Sequence, residues 1–203
     1  MKKLSLFLLM FTFLFSAGNL TAQKLKSGNL KMLKGQSVLN VQYDYSHMKV
    51  GKKSADDYVT EGIAERNKKK AGSGDEWAVK WKSDRSARFQ PTFEKNFNDK
   101  TSKAGTTIKE GADDAKYTMI IKVTFFEPGF QSGVGISKPA SLNMIIDVVE
   151  TAAPDKVLAT VQYDKIPSKN MMGYDFDTGS RVQSCFDRAG DDYGKFFYKN
   201  GLK

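Results

Sequence analysis

One cysteine and one histidine are all that this sequence offers to thiol, imidazole or zinc chemistry. With Cys185 alone, no internal disulfide forms and folding rests on the core. The thiol lies in Val182-Gln183-Ser184-Cys185-Phe186, the pattern of a helix's buried stripe, where cysteine acts as a small hydrophobe. A Ser-His-Asp or Cys-His relay would have to be built around His47, which is far from Cys185 in sequence and reads as solvent-facing. The same counts argue against a zinc site made of histidines and cysteines. No cysteine comes just after the leading apolar run, so the residue that bacterial lipoproteins acylate is missing. Beyond residue 22, no segment is apolar for long enough to span a bilayer.

What is present begins with an address. Lys2 and Lys3 precede an almost unbroken apolar run from Leu4 to Phe15, the n-region and h-region of a secretory signal peptide. The run is shorter than the about 20 residues of a membrane-spanning helix. Small residues follow at Ser16, Ala17 and Gly18, and cleavage after Ala22 leaves Gln23 as the mature N-terminus. Losing residues 1–22 removes two lysines and no acids, so the formal charge falls from +9 to +7. That excess favours anionic partners such as lipid headgroups, lipopolysaccharide or polysaccharide. Nucleic acid is not an expected partner of an exported chain.

The remaining residues suit one domain, 23–203. Leu39, Val41, Tyr43 and Tyr45 alternate with Asn40, Gln42 and Asp44, which predicts a half-buried strand. Ser54 caps a polar helix that runs to about Lys70 and stops at Gly72-Ser73-Gly74. A second helix, capped by Asp75, carries Trp77 and Trp81 on one face, with a break or kink expected at Pro91. Phe89, Phe93 and Phe97 continue the four-residue spacing, and aromatic stripes of this kind are ordinarily core. Tyr117–Phe126, Leu142–Val149 and Val157–Tyr163 read as strands, the last two forming a hairpin. From about Thr178 an amphipathic helix follows, with Gly190 and Gly194 expected where it packs on the sheet. The order predicts an α+β fold with a single antiparallel sheet of about four strands and helices mainly on one face.

No cluster of residues amounts to a catalytic set, a metal-ligand set or a cofactor motif. Asp175-Phe176-Asp177-Thr178-Gly179 resembles the start of a calcium loop, but its glycine comes one place early and Phe186 stands where the bidentate glutamate belongs. Asp177 or Thr178 is better read as the cap of the last helix. The pairs Asp56-Asp57, Asp113-Asp114 and Asp191-Asp192 leave open a carboxylate-based hydrolase, which needs two acids about 5–10 Å apart in a cleft. Gly129 to Ile136 is glycine-rich without phosphate-loop spacing, and its apolar Phe130, Val134 and Ile136 make it a candidate recognition loop. Lys68, Lys69 and Lys70, followed by Lys80, Lys82, Arg85 and Arg88, form the densest basic stretch, a candidate dock for phosphate or anionic sugar.

Ala115-Lys116-Tyr117-Thr118-Met119-Ile120-Ile121, Glu127-Pro128-Gly129-Phe130 and the helix from Ser180-Arg181-Val182 to Ala189-Gly190 resemble a group of exported proteins found chiefly in Bacteroidota. The resemblance covers roughly half of the mature chain. The element order is also similar to the α+β domains of the curli secretion lipoprotein and of the amino-terminal part of the Tol propeller protein. Such relatives imply envelope assembly or protein binding, with no catalytic residues to carry over, while the missing acylated cysteine departs from the lipoprotein pattern. The expected function is therefore an exported, non-catalytic binding or assembly module, periplasmic or outer-membrane associated. Its expected partner is an envelope protein or an anionic glycan or lipid.

Overall fold

The computed structural model describes residues 23–131, 137–169 and 178–203. In chain order the strands and helices are β1 (Lys24–Gly28), β2 (Val38–Asp44), β3 (Lys49–Val50), β4 (Lys53–Ser54), α1 (Ala55–Lys69), α2 (Ser73–Asp84) and α3 (Gln90–Thr101). There follow β5 (Thr107–Glu110), β6 (Tyr117–Glu127), β7 (Phe130–Gln131), β8 (Ser137–Lys138), β9 (Ser141–Glu150), β10 (Ala153–Pro167) and α4 (Thr178–Phe197).

The alternation in each long strand places its apolar residues on one face. Leu39 and Val41 of β2, Met119 and Ile121 of β6, Met144 and Ile146 of β9, and Val161 of β10 are all fully buried there. The strand order is β1-β10-β9-β6-β2-β5, with β3 and β4 attached beside the end of β6, eight strands among the described residues. β2 runs parallel to both β5 and β6, whereas β6, β9, β10 and β1 pair antiparallel. The fold is α+β, but the expected single antiparallel sheet of about four strands is corrected to a mixed sheet of eight. The four expected strands are β2, β6, β9 and β10. The others carry no periodic signal: β1 buries none of its side chains, β5 buries only Ile108, and β3 and β4 are two residues each.

The parallel pairing puts β5 and β6 on opposite sides of β2, so residues 111–116 must cross it. Buried Asn40 holds this crossing, donating to Asp113 and Thr118 and accepting from the Ala112 amide. At the outer edge, the Asn98 side chain accepts from the Ile108 amide at 2.7 Å and donates to its carbonyl at 3.0 Å. This amide occupies the β5 edge as a further strand would.

The break or kink expected at Pro91 is met by a wide turn just before it. Residues 85–89 make one π-helical turn between α2 and α3, so a continuous helix runs from Ser73 to Thr101. Pro91 has no amide to donate and crowds the carbonyl four residues before it, and the wide turn relieves both demands. Of the stripe Trp77, Trp81, Phe89, Phe93 and Phe97, the last four are buried core, as the spacing predicts, and Trp77 is half-buried.

α3 joins α4 through three ring pairs: Phe89–Phe186 at 5.3 Å, Phe93–Tyr193 at 6.3 Å and Phe97–Phe197 at 5.4 Å between centroids. Each such buried ring contributes about 2 kcal/mol through area removed from water. Gly190 and Gly194 lie against α3, not against the sheet. A Cβ at Gly194 would come within 2.9 Å of the Phe97 carbonyl oxygen, and one at Gly190 closer still to that of Phe93. From the same stretch of α4, the buried Tyr193 hydroxyl donates to the Met144 carbonyl of β9 at 2.6 Å. Among the described residues no helix is long and apolar enough to cross a membrane.

Candidate functional site

α1 begins at Ser54, whose hydroxyl accepts from the Asp57 amide at 3.0 Å, as a capping serine should. It packs on α2 through glycines. A Cβ at Gly62 would strike the Trp77 ring, and one at Gly74 would strike the backbone of Ile63. With Gly62 under its ring, Trp77 lies flat against α1, and the guanidinium of Arg66, one turn past Gly62, covers it at 4.0 Å. Arg66 also donates to the Gly62 carbonyl at 3.1 Å. Among the described residues it has no carboxylate within ion-pair distance.

Trp81 stacks on Trp77 at 5.9 Å, Tyr58 of α1 closes against both rings, and Phe126 at the end of β6 meets Trp81 at 5.8 Å. Beside this stack a cleft of about 160 Å³ is lined by Arg66, Trp77, Lys80, Trp81, Asp84 and the first two residues of α4, Thr178 and Gly179. Asp84 is held by Lys80 at 3.0 Å and by Arg88 at 3.4 Å. Trp81 is only 9% exposed, and its indole N–H has no acceptor among the described residues.

Trp81 also lines an apolar cavity of about 20 Å³, the size of one water, whose lining includes Tyr45, Arg85, Phe89 and Phe126. The Arg85 guanidinium lies 4.5 Å over the Tyr45 ring. Burial lowers the pKa of Arg85 and raises that of Tyr45. The wide π turn thus delivers Arg85 and Phe89 to this cavity, while the preceding turn of α2 delivers Lys80 and Asp84 to the cleft.

The residues singled out from sequence are dispersed. Lys68, Lys69 and Lys70 are exposed at the end of α1. Arg85 stands about 18 Å farther along the helix that starts at Ser73. Arg88 is a tie between helices, donating to Gln183 at 3.0 Å and to Ser180 at 3.0 Å as well as meeting Asp84. Phe130 is 50% exposed at the start of the β7–β8 ribbon, and Val134 and Ile136 fall outside the described residues. So does Asp175–Asp177, the start of the calcium-like segment. The Pro128-Gly129 turn before Phe130 is anchored, with Arg181 donating to the Pro128 carbonyl at 3.0 Å and Lys138 paired with Glu127 at 2.6 Å. Cys185 is buried, which pushes its pKa up to about 12, and His47 is exposed.

Arg66, Asp84 and the start of α4 were not legible as one site. The signals that bear on it are Gly62 four residues before Arg66, and Trp77 four before Trp81. Each shows a shared helix face, but neither shows that the two faces meet.

No family model matches the sequence, and no curated protein matches it. Among solved structures, the chain is similar to the PelC dodecamer from Paraburkholderia phytofirmans, with a TM-score of 0.39 at 10% identity over 84% of this chain and 97% of that one. A protein of the DUF330 family from Xanthomonas campestris gives a TM-score of 0.34 at 12% identity, over 87% of this chain and 90% of that one. Both are distant likenesses of fold.

Proposed function

We propose that the chain is an exported, non-catalytic binding module of the bacterial envelope, and that the cleft between α1, α2 and the start of α4 holds its ligand. Export rests on the basic start and apolar run of residues 1–22, with 23–203 as the single mature domain. The kinship with exported Bacteroidota proteins and with curli and Tol domains belongs to the same reading. The observation that carries the binding site is Arg66: it is fixed on Trp77, lacks a carboxylate partner among the described residues, and lines a cleft. A stacked guanidinium gives up little freedom when it binds, so its remaining donors are preorganised for a partner.

The cleft favours binding over carboxylate-based hydrolysis. Of its described lining residues only Asp84 is acidic, and that carboxylate is engaged by Lys80 and Arg88. Hydrolysis of a glycan needs two carboxyl groups with separate acid and base roles. The partner is an envelope protein, or an anionic glycan or lipid.

The test is crosslinking in cells with a tagged protein that carries its signal. The mature chain should be recovered from the envelope beginning at Gln23, and an envelope component captured by it should be lost in Arg66→Glu, with circular dichroism confirming that the variant folds. Recovery of an uncleaved chain from the cytoplasm would end the export reading. Undiminished capture by folded Arg66→Glu would end the assignment of the cleft.

A further inference from the structure

We infer that the exposed lysines around the contact of residues 23–34 with residues 198–203 form a docking surface for an anionic lipid bilayer; the inference is independent of the cleft. The first argument is where the charge lies. All 23 acidic side chains of the protein lie between Asp44 and Asp192, and residues 44–194 also hold 23 lysines and arginines, so this stretch carries no net formal charge. The whole +7 of the mature chain therefore comes from Lys24, Lys26, Lys31 and Lys34 before it and from Lys195, Lys199 and Lys203 after it. The fold joins these two segments. Leu30 packs on Gly201, where a Cβ would come within 2.7 Å of it, and Leu30, Leu33 and Leu202 are all buried. Lys195 pairs with Asp191; the other six lysines are exposed, and among the described residues none of them pairs with a carboxylate.

The second argument is the kind of cation. Neither segment contains an arginine. A specific protein interface favours arginine, whose planar guanidinium pairs in a fixed geometry, and is poor in lysine, whose ammonium acts as a mobile point charge. Unheld lysines fit a partner whose negative charge is spread over a surface, because each gains from the field of an anionic bilayer without a defined contact. The third argument is the apolar side chain among them. β1 lies at the sheet edge with all five side chains exposed, and Leu25, 41% exposed, stands between Lys24 and Lys26. A leucine so flanked can enter the headgroup region while the ammonium groups stay with the lipid phosphates. A second copy of the chain does not suit this edge, since pairing β1 with itself would bring the lysines of both copies together.

The test is cosedimentation of the folded mature protein with vesicles of phosphatidylcholine, alone or mixed with phosphatidylglycerol, alongside a binding assay with soluble poly-glutamate. Binding is expected to the mixed vesicles and not to phosphatidylcholine alone, and it should be lost by about 1 M salt, where the screening length is about 3 Å. Lys31→Gln and Lys199→Gln should each weaken it about fivefold, the share of one lysine beside an anionic bilayer. The triple variant Lys31→Gln, Lys34→Gln, Lys199→Gln should weaken it roughly a hundredfold. The triple variant Lys68→Gln, Lys69→Gln, Lys70→Gln removes the same charge from the end of α1 and should weaken it far less, with circular dichroism confirming that each variant folds. Equal binding to the two kinds of vesicle, no binding to the mixed ones, or a loss as large in the Lys68–Lys70 variant would overturn the inference. Binding of poly-glutamate without binding of the mixed vesicles would give the surface to an acidic protein and overturn it as well. None of these results bears on the cleft, which capture through Arg66 tests by itself.

Discussion

Tyr193 shows how much one side chain can fix. Its ring packs between Phe93 of α3 and Tyr163 of β10, and its hydroxyl reaches the Met144 carbonyl inside the core. Tyr193→Phe keeps the ring and loses that bond, so unfolding in urea should show a loss of about 1 kcal/mol. Cys185 behaves as its sequence setting suggests: buried, with its pKa pushed up to about 12, it should not react with a thiol reagent at neutral pH while the protein is folded. Its labelling rate should follow unfolding, and fast labelling of the native protein would contradict the packing described. Cys185 was legible because its neighbours at helical spacing define its burial. Arg66 was not, because its state depends on Gly62 and on Trp77 of a second helix, and no local pattern records that meeting.

Among the elements, the sequence reveals those whose own side chains alternate or repeat. β2, β6, β9, β10 and the four α-helices carry that signal, whereas β1 and β5 are held by their neighbours' backbones and by Asn98. The direction of β2 was equally hidden, since alternation is the same in parallel and antiparallel strands. Gly190 and Gly194 marked a close approach, but the partner is α3. Gly190→Ala would drive a methyl group into the Phe93 carbonyl and should cost about 1–3 kcal/mol, measured as a lowered thermal midpoint. An unchanged midpoint would mean that α3 and α4 are not packed this closely.

For the molecule as a whole, the contact of α3 with α4 is reinforced at its solvent edge by Asp191. Partial burial raises its pKa, but hydrogen bonds from Lys100 of α3 and Lys195 of α4 outweigh that and hold it at about 2, below the ordinary 3.8. A carboxyl group held low stabilises the fold at every pH above its unfolded value and loses that contribution as pH falls from about 4 toward 2. The native protein should therefore exceed Asp191→Asn in stability near pH 6, with the difference shrinking below pH 4 in acid-titrated denaturation curves. The same helix layer, with α1 against α2 and the start of α4 beside them, creates the cleft. The central claim is that this cleft binds a ligand through Arg66. Because Trp77 and Trp81 give the only two indole N–H signals, a proton–nitrogen correlation spectrum recorded during titration with the envelope component captured in cells tests it most directly. The account predicts a saturable shift of the Trp81 indole signal that Arg66→Gln abolishes. Indole signals that stay fixed while amides elsewhere move would place the ligand outside the cleft and contradict it.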